Sequence, residues 1–161
     1  MEKALEEARK ALERGEVPVG CALIDTKGKC VAVGSNRTNE LGNATSHAEL
    51  VAFEALGAQK FNRGELTLYV TCEPCVMCAA AIVQIGIIGK IVFGCSNPRF
   101  GGCGSVRSLN MYKECGKGGD DMFVPEIQSG VEAATAVQLL GEFYTRSNPN
   151  APKPKKRRVK K

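Results

Sequence analysis

Apolar residues recur at helical spacing over residues 1–14 (Met1, Ala4, Leu5, Ala8, Ala11, Leu12) and Gly15 follows as a stop, so the chain opens with an amphipathic helix. The pattern then turns strand-like. Residues 19–25 and 30–36 flank Thr26-Lys27-Gly28-Lys29, whose glycine accepts positive φ, and together they read as a hairpin. A polar loop spans 37–45. Residues 46–56 read as a second helix ended by Gly57, with His47 and Glu49 in its first turn. A strand is expected over 66–71, a helix over 75–84 with Pro74 suited to its first position, and another strand over 90–95. Glycine and polar residues dominate 96–120, which predicts a long functional loop with a short helix around 106–112. A further strand near 122–127 and a last helix over 131–144 complete the pattern.

Strands alternating with helices imply an α/β sheet carrying helices. At 161 residues and 43% hydrophobic, the chain is expected to form one domain over 1–147, followed by a basic flexible tail over 148–161 that begins at the proline-broken 148–154. No stretch approaches the length of a membrane span, and charges occupy the place where a signal peptide needs an apolar run. A cytosolic setting follows, with no membrane partner. There the eight cysteines are expected to be reduced thiols, and Cys21, Cys30, Cys72, Cys95, Cys103 and Cys115 receive no catalytic role.

Two clusters change this picture. His47-Ala48-Glu49 and Pro74-Cys75-Val76-Met77-Cys78 offer one imidazole and two thiolates, a donor set suited to Zn²⁺. Three protein ligands leave one position open, where water can be activated near neutral pH, and Glu49 is placed to carry protons. Both ligand groups fall at helix starts, whose positive dipole ends favour thiolate at Cys75 and Cys78. Bland readings stand beside these. Ser46-x-x-Glu49 also fits a capping box, which would give Glu49 a purely structural role. Cys72 precedes Cys75 by three residues and offers a fourth ligand for a closed, inert site. Asn36 either makes a turn or reads a purine edge, and Phe143 and Tyr144 either fill a core or, for Tyr144, stack on a base.

The net charge of +5 is unevenly placed. Lys153, Lys155, Lys156, Arg157, Arg158, Lys160 and Lys161 supply seven charges, and without them 15 basic residues face 17 acidic ones, a body near −2. The tail therefore reads as an arm adding phosphate contacts to a polyanion, as a nuclear import signal, or as a solvated end.

The H-x-E and P-C-x-x-C set resembles that of zinc nucleobase deaminases. Over nearly the whole chain the sequence resembles the tRNA adenosine deaminases, most closely the catalytic subunit of the eukaryotic heterodimeric enzyme. The resemblance rests on residues 16–20 (EVPVG), 43–49 (NATSHAE), 69–79 (YVTCEPCVMCA) and 97–106 (NPRFGGCGSV). It implies a cytidine-deaminase-like three-layer α/β fold with a central five-stranded mixed sheet, and hydrolytic conversion of wobble adenosine to inosine at position 34 of tRNA anticodons. By the same resemblance His47, Cys75 and Cys78 hold zinc, Glu49 shuttles protons, Asn36 contacts the base, and Val19 and Ala48 line the pocket wall. It further implies pairing with a related, catalytically degenerate subunit, self-pairing being the alternative, and residence in cytoplasm and nucleus. Cys72 departs from the apolar residue expected there, and Thr-Cys-Glu-Pro-Cys also resembles guanine deaminases acting on free base. A rival of another class is a non-catalytic, zinc-stabilised RNA-binding subunit, against which the intact Glu49 speaks.

Overall fold

A computed structural model describes residues 1–109, 111 and 123–146. The basic tail, from Lys153 to Lys161, and Cys115 lie outside them.

The opening helix, α1 (Glu2–Glu13), buries the stripe Ala4, Leu5, Ala8, Ala11 and Leu12, as its spacing predicts. The hairpin follows as β1 (Gly20–Ile24) and β2 (Cys30–Ser35), antiparallel. Its turn is tied by Asp25, whose Oδ1 accepts the Lys27 and Lys29 N–H groups, and Gly28 takes φ +79°. Next come α2 (Ala48–Leu56), β3 (Leu66–Cys72), α3 (Val76–Ile85) and β4 (Ile88–Cys95). A short edge strand β5 (Glu126–Gln128) and the helix α4 (Ala133–Thr145) close the fold.

These strands form one sheet in the order β2-β1-β3-β4-β5. β1 pairs antiparallel with β2 and β3, whereas β4 pairs parallel with β3 and β5, so the sheet is mixed. α2 and α3 cover one face over a core of Leu23, Leu66, Leu68, Val70, Ile82 and Ile91. α1 and α4 cover the other, packing Leu5, Leu12, Leu139 and Phe143 together. Because β3 and β4 run parallel with α3 between them, the carboxyl end of β3 and the start of α3 meet at one edge of the α2/α3 layer. Among the described residues no helix is long and apolar enough to cross a membrane.

Several local expectations are corrected. α2 starts at Ala48 with His47 as its N-cap, and α3 starts at Val76 with Cys75 as its N-cap, so Pro74 lies before the cap instead of in the first turn. Residues 106–109 are turn and irregular chain and Met111 is helical, while residues 110 and 112 of the short helix expected there fall outside the described residues. β5 begins at Glu126, and its three exposed residues give an apolar pattern little to specify.

Candidate active site

The start of α2 is seated on the hairpin by three local features. Asn36, just past β2, accepts the Ala48 N–H on its Oδ1 at 3.0 Å, filling one of the orphan donors of the helix start. The Cys21 thiol donates to the Ala48 carbonyl at 3.1 Å. Gly34 lies directly beneath, where a Cβ would stand 2.2 Å from that carbonyl oxygen, so only glycine lets the helix lie this close. The loop leading into α2 is tied by Glu16, fully buried, which accepts the backbone N–H of Asn39 and Glu40 at 2.8 and 2.7 Å. Its other oxygen faces Asn39 Nδ2 and the Thr38 hydroxyl.

His47 is thereby aimed at α3. Its Nδ1 lies 3.5 Å from Cys75 Sγ and 3.6 Å from Cys78 Sγ. The ligand atoms of His47, Cys75 and Cys78 all fall within 4.8 Å of one another, and among the described residues this is the group that can hold a metal ion. One imidazole nitrogen and two sulfurs are a donor set for Zn²⁺ with a position to spare. Cys72 is not in the group. Its partner is Cys95, in register across the parallel β3–β4 pair.

Without a cation the three ligands share protons. Cys75 is lowered to about 4, chiefly because the Cys78 thiol donates to it and then because His47 stands beside it. Cys78 is raised by that same bond and by burial. His47 is raised, first by its bond to Cys75. A divalent cation replaces those protons, which couples metal binding to pH.

Glu49 lies beside the cluster, its carboxylate within hydrogen-bonding reach of Cys78, and is only 3% exposed. Burial raises its carboxyl above the ordinary carboxylate value. The capping-box alternative fails, because His47 and not Ser46 is the N-cap, and the His47 side chain makes no cap bond. Glu49 accepts its own backbone N–H and the Cys78 thiol, and burial still outweighs both.

These groups open into a cleft of about 680 Å³ lined by Val19, Asn36, His47, Glu49, Cys75 and Tyr144, among others. Asn36 spends its Oδ1 on Ala48, so what it offers a ligand is the Nδ2 donor. Tyr144 is 73% exposed at the rim, while Phe143 is buried and meets it edge to face. Ala48 is fully buried and lies outside the lining; its backbone anchors α2. Residues 96–100 form another wall, together with Glu73. Glu73 was not singled out from the sequence, nor was Glu16. The available signal was an acidic residue pinned between a strand end and Pro74.

Residues 1–95 match the cytidine and deoxycytidylate deaminase zinc-binding region. The tRNA-specific adenosine deaminase 2 of Xenopus laevis is 42% identical over 172 residues, spanning 98% of this chain and 91% of that protein. A solved structure from a study of A-to-I editing by tRNA:A34 deaminases at the wobble position of transfer RNA is 35% identical with a TM-score of 0.76, covering 87% of this chain and 97% of its own. The guanine deaminase of Nitrosomonas europaea has a TM-score of 0.68 at 19% identity, over 89% of this chain and 81% of its own, which is a likeness of fold. By its zinc-binding region and by relatives that align along almost its full length, the chain belongs to the tRNA-specific adenosine deaminases.

Proposed function

We propose that this chain is the catalytic subunit of a zinc-dependent deaminase that converts adenosine 34 of tRNA anticodons to inosine. One observation carries the reading: a buried glutamate stands beside a three-ligand cluster and lines the same open cleft as His47 and Cys75. A zinc ion held by His47, Cys75 and Cys78 supplies a Lewis acid that makes water nucleophilic near neutral pH. Glu49 takes a proton from water as its oxygen adds to adenine C6 and returns that proton to N1; it then takes the proton of the new C6 hydroxyl and passes it to the amino group, which leaves as ammonia while the C6 carbonyl forms. Asn36 Nδ2 donates to an acceptor on the base edge, with Val19 as wall and Tyr144 stacking at the rim. An anticodon loop presents the base unpaired, which keeps the cost of extruding it small.

The subunit acts with a related, catalytically degenerate partner. Support comes from exposed apolar side chains, Val76, Phe100 and Val106, at the start of α3 and on the loop bonded to it, which a partner would cover. The seven cations from Lys153 to Lys161 add phosphate contacts outside the cleft, and the same cluster serves nuclear import of a protein that works in both compartments.

The test incubates the zinc-loaded chain, alone and with a related deaminase subunit, with A34-containing tRNA and separately with free guanine. Inosine at position 34 with no loss of guanine is expected. Guanine turnover without inosine overturns the substrate assignment.

A further inference from the structure

Glu73 lies at the carboxyl end of β3, two residues before Cys75, and is 2% exposed. Its Oε2 accepts the Asn97 N–H at 2.8 Å and the Ser105 hydroxyl, and its Oε1 accepts the Cys103 and Ser105 N–H groups at 3.1 and 3.0 Å. Every one of these donors belongs to the loop over 97–105. The same loop is laced to the start of α3 by backbone bonds, Val76 N–H to the Phe100 carbonyl and Gly102 N–H to the Pro74 carbonyl, both at 2.8 Å. A Cβ on Gly101 would stand 2.5 Å from the Glu73 carboxylate, so the loop closes over the carboxylate with no space left. Residues 97–100 in turn face the cleft.

We propose that Glu73 is a positioning residue for the RNA substrate, its carboxylate holding the 97–105 loop as a cleft wall and thereby setting substrate affinity more than the chemical step. The proposal rests on the tRNA-deaminase reading for its substrate. The division follows from where the anchors lie. His47 and Glu49 are seated through Asn36, Cys21 and Gly34, and Cys78 by the body of α3, none of which depends on Glu73; Cys75 alone among the ligands adjoins the loop, through backbone bonds of Pro74 and Val76 that do not involve the carboxylate. The wall over 97–105 depends on it at three backbone positions. A glutamine in its place would turn an amide N–H₂ toward donors that need an acceptor, opening the loop without emptying the site.

The test compares zinc-loaded wild type with Glu73→Gln and Glu73→Asp, each with the partner subunit if activity requires it. Zinc content, kcat and KM for A34 tRNA, and amide hydrogen exchange are measured. For Glu73→Gln, KM should rise about tenfold while kcat stays within about threefold and zinc is retained, the pattern of lost binding without lost transition-state contacts. Protection should fall at Asn97, Cys103 and Ser105 but not along α2, and Glu73→Asp should lie between the two. Should Glu73→Gln not fold, Ser105→Ala and Gly101→Ala disturb the same carboxylate and should move KM in the same direction. A fall in kcat at constant KM, a loss of zinc, or a smaller folded fraction with unchanged KM overturns the proposal. Exchange is read without substrate, so unchanged protection at the three amides overturns the placement of Glu73. A wild type inactive on tRNA overturns only the functional reading.

Discussion

Glu49 and Glu73 line the same cleft and are equally hidden from solvent, 3% and 2% exposed, yet their surroundings drive them in opposite directions. Burial raises the Glu49 carboxyl, and few donors offset it. Burial pushes Glu73 upward too, but the Ser105 hydroxyl and the N–H groups of Asn97, Ser105 and Cys103 outweigh it and hold the group low. A carboxylate saturated with donors is a fixed anion and a structural anchor. One that burial outweighs, with only its own N–H and a thiol as donors, is a proton carrier. Burial alone does not tell reactive from architectural; the donor count around the oxygens does.

The broadest way to probe this contrast is to empty the cluster. Dialysis against a chelator, or His47→Ala, should abolish deamination and bring zinc content toward zero, with activity returning to the dialysed wild type on zinc addition. Persisting turnover in zinc-free protein would sink the metal assignment. Next in size, Glu49→Gln should lower kcat by about 10²–10⁴-fold with zinc and fold retained, the range expected for losing a general acid/base. A change below about tenfold would make Glu49 another Glu73.

The contrast sharpens in stability. Because the folded-state value of Glu73 is depressed, its contribution to stability is present above the unfolded carboxyl value and is lost as pH falls through the folded one. Wild type should therefore lose stability on acidification below about pH 4.5 more steeply than Glu73→Gln, by about 1–3 kcal/mol at most, read from urea midpoints against pH. Parallel curves for the two proteins would contradict the anchor role.

A smaller effect lies in the thiols. With Cys75 held at about 4, the metal-free protein should be alkylated at Cys75 by iodoacetamide at pH 6, where an ordinary thiol reacts slowly, and zinc should protect it. Equal labelling of Cys75 and Cys30 at that pH would refute the thiolate. The smallest effect concerns the tail. Truncation after Asn150 should weaken tRNA binding mainly at low salt and flatten the salt dependence, without altering zinc content.

What the sequence discloses about the site follows from distance along the chain. His47, Cys75 and Cys78 are legible because local spacing and two helix starts place them, and the amphipathic α1 is legible for the same reason. Glu49 reads ambiguously, since Ser46-x-x-Glu49 satisfies a capping pattern; only the observed N-cap at His47 separates the two roles. Glu73 is silent because its partners Asn97, Cys103 and Ser105 lie 24 to 32 residues away. Glu16, bound to Thr38, Asn39 and Glu40 from 22 to 24 residues off, is silent for the same reason. Ala48, which the resemblance puts on the pocket wall, shows a role the spacing does not disclose: its N–H and carbonyl anchor α2 to Asn36 and Cys21.

The most direct test is the kcat and KM of zinc-loaded Glu49→Gln and Glu73→Gln, side by side on A34 tRNA, with inosine at position 34 quantified by mass spectrometry. The account predicts that Glu49→Gln loses kcat by orders of magnitude while Glu73→Gln loses affinity and keeps kcat. Equal loss of kcat in both, or near-normal kcat in Glu49→Gln, would contradict it.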